Sequence, residues 1–182
     1  MTDEDRFTAL YRNYSKHVER YARRRATEVA AADVVADVFL VAWRRLSSIP
    51  AGRELPWLYG AARGILANRV RGVQRSRRLA ERVTHSAPGH SGDHADGVVS
   101  RLAIAEAFDL LSSRDQEALR LVAWEQLSLR DAAAAFGCST AAFAMRLHRA
   151  RQRLRANLVT DRPPHHDGGL PQQVTKLKEA HR

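Results

Sequence analysis

The chain has 182 residues, 45% of them hydrophobic, and its 30 lysines and arginines outnumber its 20 acids to give a formal net charge of +10. That length admits one medium domain or two small ones, and the basic excess points to a polyanionic partner such as nucleic acid. The single cysteine, Cys138, excludes an intramolecular disulfide, and no apolar run approaches the roughly 20 residues a membrane span requires.

The first residues, MTDEDRF, are acidic and lack the apolar core of a signal peptide, so a cytoplasmic protein is expected. The first helix places Phe7, Leu10, Tyr11, Tyr14, Val18 and Tyr21 on one face, which predicts a core stripe. Arg20, Arg23, Arg24 and Arg25 close it, where they either meet phosphate or complement the helix dipole. The next helix, Asp33 to Leu46, is the most regular, with Val35, Val38, Phe39, Ala42, Trp43 and Leu46 at helical spacing. Asp33 and Asp37 stand one turn apart beside Leu40. They form the only markedly acidic surface in residues 1–78, which carry sixteen basic and eight acidic residues, a net of +8. Preference for a helix N-terminus suffices for Asp33 but explains Asp37 in the second turn less well, so the pair reads as a docking surface.

Pro50 and Gly52 break the pattern within residues 47–55, and Pro56 sits suitably in the first turn of another helix. That helix carries Trp57 to Arg75. Trp57, Leu58, Ala61, Ala62, Ile65 and Leu66 supply its core face, and Arg63, Arg69, Arg71 and Arg75 mark an increasingly cationic end. Trp57 and Tyr59 lie close to arginines and either stack on unpaired bases or belong to the core; helical spacing favours the core for Trp57. Ser86 to Gly97, SAPGHSGDHADG, has too little apolar surface to order itself and reads as a flexible linker. The histidines there and just before it, His85, His90 and His94, with Asp93 and Asp96, sit on glycine-rich backbone that does not hold a fixed tetrahedron, so no metal site is expected. No Gly-rich phosphate loop, cysteine-based metal cluster or Ser/His/acid arrangement is present, so neither a cofactor nor enzymatic chemistry is expected.

Leu127 to Arg155 reads as two helices joined by a tight turn. Ser128 caps the first, with Asp131 opposing the positive end of the dipole, and Ala132 to Phe136 pack tightly. Gly137, Cys138 and Ser139 form the turn, and Ser139 or Thr140 caps the second helix. Phe143, Leu147, Ala150 and Leu154 make one apolar stripe along it; Arg146, Arg149, Arg151, Arg153 and Arg155 leave the remainder cationic. Such a helix suits the major groove of DNA. The whole chain is therefore expected to be all-α: two small helical domains, 1–78 and 98–159, joined by a flexible linker over 79–97 and followed by a disordered tail over 160–182. The C-terminal domain is the helix-turn-helix.

The runs ADVVADVFLVAWRRL, ELPWLYGAARGILANRVR and LSLRDAAAAFGCSTAAFAMRLHRARQRLR, in that order and separated by a loose linker, closely resemble the two-domain bacterial RNA polymerase sigma factors of the extracytoplasmic-function type. The resemblance covers residues 5–158 and implies a promoter-specificity subunit without bond chemistry of its own. Its partners would be core RNA polymerase and promoter DNA, with a dedicated anti-sigma protein as a further candidate. It implies that Asp33, Asp37 and Leu40 grip the polymerase clamp. It also implies that the loop over 47–55 and the helix bearing Trp57, Arg63, Gly64, Arg69, Arg71 and Arg75 melt the −10 element and capture a base. Ala144, Met145, Arg146, His148, Arg149 and Arg153 would face the −35 element. Family members often carry asparagine where this chain has Gly64, a basic residue at the Ala144 position and a small polar one at Met145. These departures leave base preference open at both elements. A helix-turn-helix regulator acting without polymerase has no need of the Asp33 surface followed by the Trp57 helix. A helical recombinase would need a catalytic domain for which this length leaves no room.

Overall fold

A computed structural model describes residues 2–26, 28–80 and 99–160, so the expected linker and tail fall almost wholly outside it. The described residues form seven α-helices and one short 3-10 turn: α1 (Asp3–Arg23), α2 (Glu28–Arg44), the turn Leu46–Ser48, α3 (Glu54–Ala80), α4 (Val99–Asp109), α5 (Ser113–Ala123), α6 (Leu129–Phe136) and α7 (Thr140–Thr160). The all-α expectation holds, with α1–α3 forming one half and α4–α7 the other.

The acidic N-terminus has a local use. Thr2 Oγ1 accepts from the Asp5 amide at 3.1 Å, and Asp5 Oδ2 accepts from the Thr2 amide at 2.9 Å. This reciprocal cap satisfies two amides that the first turn of α1 leaves unpaired. Leu10, Val18 and Tyr21 of α1 are then buried against a helical layer that includes Val34, Val38, Phe39 and Ala42 of α2 and Leu58 and Ala62 of α3. Two expected core residues stand at the margin instead. Tyr11 is 49% exposed and Trp43 46% exposed, because their rings lie edge-on over Phe39 and Phe7, at 4.7 and 5.1 Å, and turn their other faces outward. Val34, absent from the expected stripe, is fully buried.

In the second half, Asn157 Nδ2 of α7 donates to the Ala107 carbonyl of α4 at 2.9 Å, and α5 and α6 both pack on α7. The helix-turn-helix forms as the sequence predicts. Ser128 Oγ accepts from the Asp131 amide at 3.1 Å, and Ser139 Oγ accepts from the Ala142 amide at 3.2 Å. Gly137 takes the left-handed backbone at φ +79°. Its amide and that of Cys138 both return to the Ala133 carbonyl, at 2.9 and 3.1 Å, closing the end of α6.

The halves do not keep separate cores. A single buried cluster runs from Leu10 through Leu58 and Ala62 to Leu121, Phe136, Phe143 and Leu147. Helix α3 packs along α6, and a Cβ at Gly60 would stand 3.4 Å from the Ala135 carbonyl oxygen. Composition marks the linker between the two expected domains but carries no information on how the domains dock.

Candidate nucleic-acid interface

Helix α7 owes its orientation to Phe143, Leu147 and Ala150, all buried. Met145, His148 and Arg149 lie on the opposite face and are exposed, and Ala144 is half-buried. Arg146 and Arg153, expected on the same DNA face, turn back toward α5. Arg146 Nη1 donates to Asp115 Oδ1 at 3.3 Å, and Arg153 Nη1 donates to Asp115 Oδ2. Burial raises the affinity of the Asp115 carboxyl for its proton, but the Ser112 cap and the two arginines outweigh it, leaving the group below the usual carboxylate range.

The two surfaces expected on α2 and α3 are joined to each other. Asp33 and Leu40 are exposed and Asp37 is half-buried. Arg69 spans both acids, with Nη2 at 2.7 Å from Asp37 Oδ2 and Nη1 at 3.4 Å from Asp33 Oδ2. Those contacts hold the Arg69 guanidinium more firmly protonated than usual, the Asp37 hydrogen bond contributing most. Arg71 is exposed and donates to Asn68 Oδ1, and Gly64 faces open space. Trp57 is partly buried against the core. The Arg75 side chain and the histidines of 85–94 lie outside the described residues. Arg63, expected at the −10 element, donates to the Phe136 carbonyl and lies over the Phe136 ring at 4.4 Å.

The seam between the halves contains the charged residues that sequence reasoning missed. Tyr21 Oη donates to Glu117 Oε1 at 2.7 Å; Arg25 donates to Glu117 Oε2 at 2.8 Å and to Glu125 Oε1 at 2.9 Å. Arg24 reaches Glu125 at 3.3 Å, and Arg53 reaches Asp131 at 3.0 Å. Arg24 and Arg25 thus meet acids of the second half here, and Arg25 also donates to the Tyr21 carbonyl at 3.0 Å in the last turn of α1. Tyr59 is buried and stacks on Tyr21 at 4.7 Å, so its face is closed to a base in this arrangement. Burial and then the Glu125 carboxylate push the Tyr59 hydroxyl up to about 12, and Tyr21 rises well above its ordinary value for the same first reason, with Glu117 adding to it. The signal in the sequence was periodicity: Asp115, Ala118 and Leu121 share one face of α5, and Glu117 lies one turn before Leu121. Acids in register with an apolar stripe mark buried partners.

A helix-turn-helix packed on an N-terminal layer of three helices defines a class. Residues 10–76 match the family description Sigma-70 region 2, and residues 101–154 match Sigma-70, region 4. The chain is 33% identical over 135 residues, 72% of each protein, to an ECF RNA polymerase sigma factor, EcfG, of Rhodopseudomonas palustris (strain TIE-1). It superposes on the sigma factor RpoE of Bartonella quintana, solved with the anti-sigma factor NepR, with a TM-score of 0.62 and 25% identity over 86% of this chain and 98% of that one. CnrH, solved with the cytosolic domain of CnrY, shares the fold with a TM-score of 0.55 and 24% identity, over 86% and 89% of the two chains. The chain belongs to the extracytoplasmic-function sigma factors, which direct promoter-specific transcription initiation. Among the described residues no helix is long and apolar enough to cross a membrane.

Proposed function

We propose that this sigma factor works in the cytoplasm, docks on core RNA polymerase through Asp33, Asp37 and Leu40, and reads promoters with two surfaces. Ala144, Met145, Arg146, His148, Arg149 and Arg153 of α7 serve the −35 element. Trp57, Arg63, Gly64, Arg69, Arg71 and Arg75 of α3 serve the −10 element. The protein positions and opens DNA while bond chemistry belongs to the polymerase.

The observation that carries this reading is the asymmetry of α7, with Phe143, Leu147 and Ala150 buried on one face and Met145, His148 and Arg149 exposed on the other. An arginine on such a face grips guanine through two hydrogen bonds, while an apolar neighbour favours the thymine methyl. The packed seam is the resting form. Arg63 is spent on the Phe136 carbonyl, so α3 engages a melted strand only after the halves part. An anti-sigma protein, the class of partner bound to RpoE of Bartonella quintana, would act by keeping them together.

Reconstitution with core polymerase on a library of templates tests the reading. Transcription from a defined subset of templates is expected. Output no greater than that of core polymerase alone would leave a DNA-binding regulator in its place.

A further inference from the structure

The recognition helix is held by a residue that lies on another helix. Asp115, in the first turn of α5, is 1% exposed, and each of its carboxylate oxygens takes one arginine of α7. Ser112 Oγ accepts from the Asp115 amide at 3.2 Å and fixes its backbone. Arg146 and Arg153 are seven residues apart, which at about 100° per residue places them roughly 20° apart on the helix. Both sit on the border between the buried stripe and the exposed face. Arg149 and Met145 project nearer the middle of that face, and Arg149 has no ion pair among the described residues.

Resting on the reading of α7 as the −35 reader, we propose that Asp115 is a positioning residue for promoter specificity. It clamps Arg146 and Arg153 to one margin of α7, so that the helix presents Arg149, Met145 and His148 to the groove in a single orientation. The side chain of Arg153 remains 59% exposed, so its outer N–H groups can meet a phosphate while an inner one is held. A guanidinium fixed at one end loses less freedom when it binds, and it sets the register of its neighbours. The buried negative charge also offsets one of the two positive charges facing DNA, which restrains attachment to arbitrary sequence.

The test uses the full chain and fluorescence anisotropy on two duplexes, the best −35 sequence selected from a randomised library and a scrambled control, over a range of salt. For Asp115→Asn the preference for the selected duplex is expected to fall about tenfold, comparable to one mismatched base pair. The salt slope on the scrambled duplex is expected to steepen by about one as the arginines are released. Arg153→Lys, at an exposed position, keeps the charge but loses the planar fork. It should cost a few-fold in preference with the salt slope unchanged, and it decides the matter if Asp115→Asn does not fold. Preference ratios within about twofold of the wild type in Arg153→Lys and in folded Asp115→Asn would overturn the role of Asp115 while leaving α7 as the reader. A wild-type protein with no preferred duplex would refute both.

Discussion

Arg25, just past the end of α1, and Glu117 of α5, 92 positions apart in the chain, meet at 2.8 Å with both side chains almost wholly removed from solvent. Glu125 completes the group at 2.9 Å from the same guanidinium. Removing the cation would leave Glu117 with the Tyr21 hydroxyl and Glu125 with Arg24 in a poorly hydrated seam. Replacing Arg25 by alanine is therefore expected to cost the packed arrangement about 3–5 kcal/mol, the usual penalty for breaking a buried ion pair from one side. Because each half retains its own helices, the loss should show as separation. Small-angle scattering should report a larger radius of gyration with helical circular dichroism preserved. An unchanged radius would mean that the apolar contacts alone hold the seam.

The same seam should open in alkali. Tyr59 titrates at about 12 in the folded chain and Tyr21 is also raised, whereas an exposed tyrosine ionises near 10. A proton bound more tightly in the packed form stabilises it fully below about pH 10. That contribution is lost as pH rises toward the folded value, because the open form ionises first. Tyrosinate absorbance should rise in two steps, with the later step coinciding with the increase in radius. A single step near 10 with the seam intact would contradict the burial of these hydroxyls.

Asp37→Arg is expected to weaken the affinity for core polymerase, since it removes an acid from the proposed docking surface and sets a second cation against Arg69. The Asp37–Arg69 pair is solvent-accessible, and exposed pairs contribute little to stability. Thermal denaturation should register no more than about 0.5 kcal/mol. Binding to core polymerase at wild-type strength would remove the docking role.

Arg149→Ala is expected to cost about 1–3 kcal/mol on the preferred −35 sequence and to flatten the preference at one base pair. Selection from a randomised duplex library with the variant, compared with the wild type, reads this directly. Loss spread evenly over all sequences would reassign Arg149 to phosphate.

The helix-turn-helix was legible because its signals are local: a serine cap, a glycine that must take a left-handed turn and an apolar stripe all lie within a few residues of their partners. The stripes of α1 and α2 were legible for the same reason, except at Tyr11 and Trp43, where spacing tells which side a ring lies on but not where the neighbouring helix ends. The seam was not legible. Arg25 and Glu117, or Arg63 and the Phe136 carbonyl, are pairs set by how two helical layers dock, and nothing near either residue in sequence names the other. Arg69 shows the same limit at shorter range, since its cationic neighbours suggested DNA while its contacts in the structure are Asp33 and Asp37.

The turn between α6 and α7 takes its backbone and cap hydrogen bonds from within, at Ala133, Gly137, Cys138 and Ser139, and Arg63 of α3 adds one from outside at the Phe136 carbonyl. Among the described residues, no backbone-to-backbone hydrogen bond outside the helices joins one half to the other. The seam is made of side chains, with Arg53 and Arg63 reaching backbone acceptors at Arg130 and Phe136. Parting the halves would therefore exchange side-chain contacts for water, among them those of Arg53 with Asp131 and of Arg63 with the Phe136 carbonyl, and would leave the serine caps and backbone hydrogen bonds of the helix-turn-helix in place. Such a separation would be that of a rigid body leaving a socket, with no refolding step to slow its return.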